Sequence, residues 1–182
     1  EVVAAAARNI PSISLPEALR VAFFPNRRVL CVTGTHGKTT TSSMAAWLLY
    51  AAGRDPSFFI GGVTANFGAN YRLGSGDDFV VEGDEYDTAW FDKVPKYWHY
   101  PATAATINNV EYDHADIYPD MDAVRHVFAR FAAQIPPDGV LWINGDDDEA
   151  RRAAAAARCD VRTFGLADRN DIAARVLSVG EE

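Results

Sequence analysis

The chain has 182 residues, 48% of them hydrophobic, and a net charge of −8. That is enough for one domain with a real core, and no apolar run approaches ~18 residues, so neither a membrane span nor a signal peptide is expected. Lysine occurs only at Lys38, Lys93 and Lys96, so no basic patch exists for a nucleic acid or a membrane surface. Residues 1–26 carry Pro11, Pro16 and Pro25 and read as a linker plus a helix over 16–24, with proline at its favoured start. The opening Glu1 and the residues after it look like the tail of something longer. Residues 27–182 then alternate. Strands are expected at 28–32, 57–60, 78–82, 103–108, 139–143, 161–164 and 172–179, the second of them ended by Gly61-Gly62. Helices are expected at 39–52, at 122–134 with Val124, Val127, Phe128 and Phe131 on one face, and at 147–158 with acids first and arginines later. Apolar strands alternating with helices imply an α/β fold, a mainly parallel sheet flanked by helices. Cys31 and Cys159 follow no metal or redox spacing, and Cys31 reads as a buried small hydrophobe.

The first chemical signal follows the first strand: Gly34-Thr35-His36-Gly37-Lys38-Thr39-Thr40-Thr41. Strand, glycine turn and helix form a phosphate-binding loop. Glycines let backbone N–H groups approach an anion, and the helix start adds its positive end. Gly34, Thr35, His36, Gly37, Lys38, Thr39 and Thr40 are the candidate nucleotide-binding residues. Lys38 is expected to reach the outer phosphates, and the Thr39 hydroxyl to ligate Mg²⁺. The spacing is shorter than G-x-x-x-x-G-K-[ST], which would need glycine where Val32 stands.

In open α/β sheets ligands bind beyond the carboxyl ends of strands. A second strand ends in Glu82-Gly83-Asp84-Glu85, and Glu82 is the candidate metal carboxylate. The cluster Glu82, Asp84, Glu85 and Asp87 has an alternative reading as a solvated acidic turn. A third strand runs into Asn109, Asp113, His114 and Asp116, which could orient a metal, a water or a carboxylate substrate. His99 and His126 are assigned to structure. The aromatic stretch 86–101 reads equally as a cleft lining or as a packed loop.

These three motifs, in this order, resemble the central ATP-binding domain of the Mur ligases. Ile60-Gly61-Gly62-Val63 with Asn66-Phe67, the stretch 85–93, and Tyr112-Asp113-His114-Ala115-Asp116-Ile117 resemble the murein peptide branch of that family. The resemblance covers residues 16–145 most closely. It implies an ATP- and Mg²⁺-dependent cytoplasmic ligase. Such an enzyme joins UDP-N-acetylmuramate to the peptide amine L-alanyl-γ-D-glutamyl-meso-diaminopimelate through an acyl phosphate, in cell-wall peptide recycling. It also implies that Lys38 and His114 are catalytic, that Thr39, Glu82 and His114 serve metals, and that Asn66 and Asn109 serve substrate. The carbamylated lysine of other Mur ligases has no counterpart, because no lysine follows Lys96; the alanine-adding and murein peptide branches lack it too. No H-N-x-x-N segment is present for adenine. The expectation is an incomplete central domain, lacking the N-terminal UDP-binding and C-terminal amine-binding domains. The competing readings are an alanine-adding or folylpolyglutamate-type ligase, a P-loop NTPase switch, and a folded module without catalysis.

Overall fold

The computed structural model describes residues 4, 7, 8, 10–113 and 115–177. An opening helix, α1 (Leu15–Ala22), is fixed by a capping box: the Ser14 hydroxyl accepts from the Glu17 amide, and Glu17 reaches back to the Ser14 amide. Then come β1 (Arg28–Thr33), α2 (Lys38–Ala51), β2 (Ser57–Thr64), β3 (Ala69–Arg72) and β4 (Asp78–Glu82). A small hairpin of β5 (Asp87–Ala89) and β6 (Asp92–Pro95) and a 3-10 turn (Lys96–His99) lead to β7 (Ala104–Ile107). The chain continues through α3 (Met121–Gln134), β8 (Val140–Asn144), α4 (Asp148–Ala154), β9 (Asp160–Gly165) and β10 (Ile172–Ala173).

Eight strands form one sheet in the order β10-β9-β8-β7-β1-β4-β2-β3. Every pairing in it is parallel except β2 with the edge strand β3. Side chains of β4 alternate between two cores. Phe79 and Val81 face a large core with Cys31, Ile107, Phe128 and Phe131, whereas Val80 faces a smaller one with Ala46, Phe58 and Ile60. Helix α3 buries Val124, Val127, Phe128 and Phe131 as its periodicity predicts. Each such side chain contributes about 1.5–3 kcal/mol on burial. Cys31 is fully buried, and burial pushes its thiol well above the ordinary range.

Four expectations need correction. Strand β2 does not stop at Gly61-Gly62 but runs on to Thr64, since Gly61 is engaged by the neighbouring strand's Glu82 and Thr64 pairs with Ala69. Strand β3 and the β5–β6 hairpin lie where no strand was expected. Helix α4 ends at Ala154 rather than 158, and the last strand is only Ile172–Ala173, pairing with Phe164 and Gly165. Residues 178 and 179 of that expected strand lie outside the described residues.

The strand order positions the chemistry. Strand β1 lies between β4 and β7, where the chain switches from one half of the sheet to the other. The carboxyl ends of these three strands therefore meet at a topological switch point.

Candidate active site

The loop between β1 and α2 is braced by the residues after β7. Gly34 has φ of +130°, and a Cβ there would lie 2.9 Å from the Asn108 nitrogen and 3.0 Å from that of Asn109. Only glycine satisfies both demands. The Thr35 amide donates to the Asn109 carbonyl at 3.0 Å, and the His36 amide to Asn109 Oδ1 at 2.7 Å. The Glu111 amide donates to Thr35 Oγ1 at 2.9 Å, and Asn108 Nδ2 to Thr41 Oγ1 at 3.1 Å. Asn109 thus holds the loop itself, a contact that its residue type did not announce. The Thr35 and His36 amides are engaged by it rather than open. Gly37 precedes the first turn of α2, and His36 Nε2 stands 3.7 Å from Glu111 Oε2 at the surface.

Lys38 does not extend outward. Its Nζ lies 2.9 Å from the Gly34 carbonyl, 3.0 Å from that of Thr35, and 2.9 and 2.8 Å from Glu85 Oε1 and Oε2. A lysine so little exposed needs a carboxylate beside it, and Glu85 supplies one. Glu85 is buried, which overturns the solvated-turn reading for that residue, while Asp84 and Asp87 pair with Lys96 and Lys93 at 2.7 and 2.6 Å. Carboxylates concentrate here: burial first, then the charges of Asp116, Asp113, Glu85 and Asp84, raise the Tyr86 phenol above its usual range.

Thr39 and Glu82 meet as expected. Thr39 Oγ1 donates to Glu82 Oε1 at 2.9 Å, and the Gly61 amide donates to Oε2 at 2.8 Å. The second bond fixes the carboxylate from β2, a role for Gly61 that is invisible in its residue type. One hydroxyl and one carboxylate are hard oxygen ligands. They suit Mg²⁺, which keeps several waters and shares its shell with phosphates. Among the described residues no group of three His, Cys, Asp or Glu side chains forms a closed metal cage. His114 lies outside the described residues.

Two clefts open beside this pair. One, of about 340 Å³, is lined by Thr39, Thr40, Met44, Trp47, Val63 and Asn66. The other, of about 240 Å³, includes Gly61, Glu82, Asp84, Lys96 and Tyr100. Asn66 therefore lines the same cleft as Thr39. The aromatic stretch divides: Tyr97 and Tyr100 are buried, while Trp90 and Phe91 on the hairpin are exposed. His99 pairs with Asp92 at 2.7 Å, and His126 packs edge-on to Trp98, both structural as expected.

A parallel sheet whose switch point carries a glycine loop, a threonine–carboxylate pair and an asparagine brace defines a phosphate-loop α/β domain. The chain belongs to the Mur ligase family: the model described as the Mur ligase middle domain matches residues 32–182. It is 45% identical over 140 residues to the UDP-N-acetylmuramate–L-alanyl-γ-D-glutamyl-meso-2,6-diaminoheptandioate ligase of Escherichia coli (strain K12), covering 76% of this chain and 31% of that protein. It is 42% identical over 180 residues to the UDP-N-acetylmuramate–L-alanine ligase of Rubrobacter xylanophilus, covering 99% and 38%. The crystal structure of the UDP-N-acetylmuramate:L-alanyl-γ-D-glutamyl-meso-diaminopimelate ligase from Neisseria meningitides superposes with a TM-score of 0.87 at 38% identity, over 93% of this chain and 55% of that one. The chain spans about a third of the length of the curated relatives it matches.

Proposed function

We propose that this chain is the ATP-handling central domain of a ligase joining UDP-N-acetylmuramate to L-alanyl-γ-D-glutamyl-meso-diaminopimelate, in cell-wall peptide recycling. The reaction is placed in the cytoplasm, where ATP is available. The observation that carries the reading is the convergence of Lys38, Thr39 and Glu82 on a loop braced by Asn109. Residues 1–26 lead into the domain, which begins at residue 27.

A carboxylate is a poor electrophile. Its oxygen attacks the γ-phosphorus of ATP, ADP departs, and the resulting acyl phosphate is attacked by the peptide amine, which expels phosphate. The loop from Gly34, its Thr35 and His36 amides held by Asn109, leads into Gly37 and Thr40, which face the phosphates in this reading. Lys38 offsets charge on the transferring group. Thr39 and Glu82 would hold Mg²⁺, which would neutralise phosphate charge. His114 is assigned to catalysis and a second metal on its motif alone. Asn66 is assigned to the muramate side on its place in the cleft beside Thr39, and Asn109 positions the loop.

Phosphate release by the intact protein with Mg-ATP and UDP-N-acetylmuramate tests the reading, with the tripeptide compared against L-alanine. Release with the tripeptide alone is expected. The alanine-adding alternative is favoured by the Rubrobacter relative, which matches nearly the whole chain; release with alanine alone would select it. Release without any amine would replace the ligase by a nucleotide-hydrolysing switch.

A further inference from the structure

The proposed reaction uses Lys38 but leaves its buried partner, Glu85, without a role. The lysine ammonium has three N–H donors. The Gly34 and Thr35 carbonyls and the Glu85 carboxylate, all within 3.0 Å, take up all three. The Lys38 side chain is 13% exposed and that of Glu85 6%, so water screens the pair little. The two carbonyls belong to the loop and travel with the lysine. The carboxylate comes from a different segment, the one after β4, anchored where Tyr118 Oη donates to the Glu85 carbonyl at 2.7 Å. A phosphate that reaches Lys38 must therefore take the place of this carboxylate.

We infer that Glu85 is a latch on the loop lysine: it holds Lys38 folded back, and nucleotide phosphate binds by displacing its carboxylate. The inference rests on the reading that this loop takes ATP. The pair itself gives the direction of the effect. Phosphate binding at Lys38 breaks this little-exposed ion pair, and the cost of parting the two charges opposes nucleotide binding. Glu85 is thus a positioning residue that acts through Lys38. Glu85→Gln keeps the shape and an acceptor while removing the charge.

The test is calorimetric titration of Mg-ATP into the intact wild-type protein, E85Q and E85D, with the nucleotide-free melting temperature of each. E85Q is expected to bind about tenfold more tightly, the low end of what a charged hydrogen bond contributes. It is also expected to melt lower without nucleotide, because Lys38 is then buried with no carboxylate beside it. E85D draws the carboxylate back by one methylene and should fall between the two; it supplies the same readout if E85Q does not fold. A Glu85 that only supports structure would lower melting and leave affinity unchanged. Equal or weaker ATP affinity in these variants overturns the latch, while wild-type binding in the same titrations leaves the ligase reading standing. No Mg-ATP binding by the wild type overturns both.

Discussion

Lys38 shows how residue type and structural partner can point in different directions. Its type and place in Gly37-Lys38-Thr39 point to phosphate, yet the structure pairs it with Glu85. Replacing it tests the chemical role: Lys38→Ala is expected to cut ligase turnover at least ~10²-fold, the scale of losing one donor to developing charge. Phosphate-release kinetics measures this, and near-wild-type turnover would remove Lys38 from the reaction. Asp78 is the structural counterpart. Burial opposes its ionisation, but hydrogen bonds from Arg54 and Arg28 prevail and hold its carboxyl below the usual carboxylate range. A depressed carboxylate contributes stability that is present above its unfolded pKa, near 3.9, and is lost as pH falls through the lower folded value. Asp78→Asn should cost about 1–3 kcal/mol at neutral pH. It should also flatten the loss of stability in acid below about pH 4. Urea melts at pH 7 and in acid check both, and an unchanged acid slope would remove Asp78 from that account.

At the scale of elements, close approach decides which strands and helices can meet. A Cβ at Gly83 would lie 2.5 Å from Thr33 Cγ2, 2.9 Å from Cys31 Sγ and 3.2 Å from Tyr97 Cβ. Gly83→Ala should therefore push the β4 end away from β1 and cost about 1–3 kcal/mol by overpacking. Helix α3 tests the opposite fault. Phe131 is fully buried and packs edge-on to Tyr97 with ring centroids 4.9 Å apart. Phe131→Ala leaves a cavity between helix and sheet, with an expected loss of about 3–5 kcal/mol in denaturant unfolding. A loss below 1 kcal/mol would mean that the core collapses around the gap.

Taken whole, the molecule is a sheet whose function depends on order rather than content. With β1 between β4 and β7, the glycine loop, Glu82 and Asn109 come from sequence positions far apart and meet in one place. Ligand binding there should couple to global stability. At a hundredfold excess over its Kd, Mg-ATP should stabilise the intact protein by about 2.7 kcal/mol, seen as a raised melting temperature. Chelating Mg²⁺ with EDTA should remove most of that gain if Thr39 and Glu82 hold the metal. A gain that EDTA leaves untouched would take the metal role from this pair.

The sequence by itself determined the class of fold and the strand–glycine loop–helix unit. Each is written in local terms: apolar runs of strand length, the helical spacing of Val124, Val127, Phe128 and Phe131, and glycines beside lysine and threonine. The tertiary structure decided what depends on neighbours distant in the chain. It extended β2 past two glycines because Gly61 meets the Glu82 carboxylate. It showed Asn109 bracing the loop, a contact between residues 73 apart in the chain. It also buried Glu85 against Lys38, whereas Asp84, one residue earlier, pairs at the surface with Lys96. Residue type gives a side chain's charge and reach; only the packed sheet fixes whether water or another charge answers it.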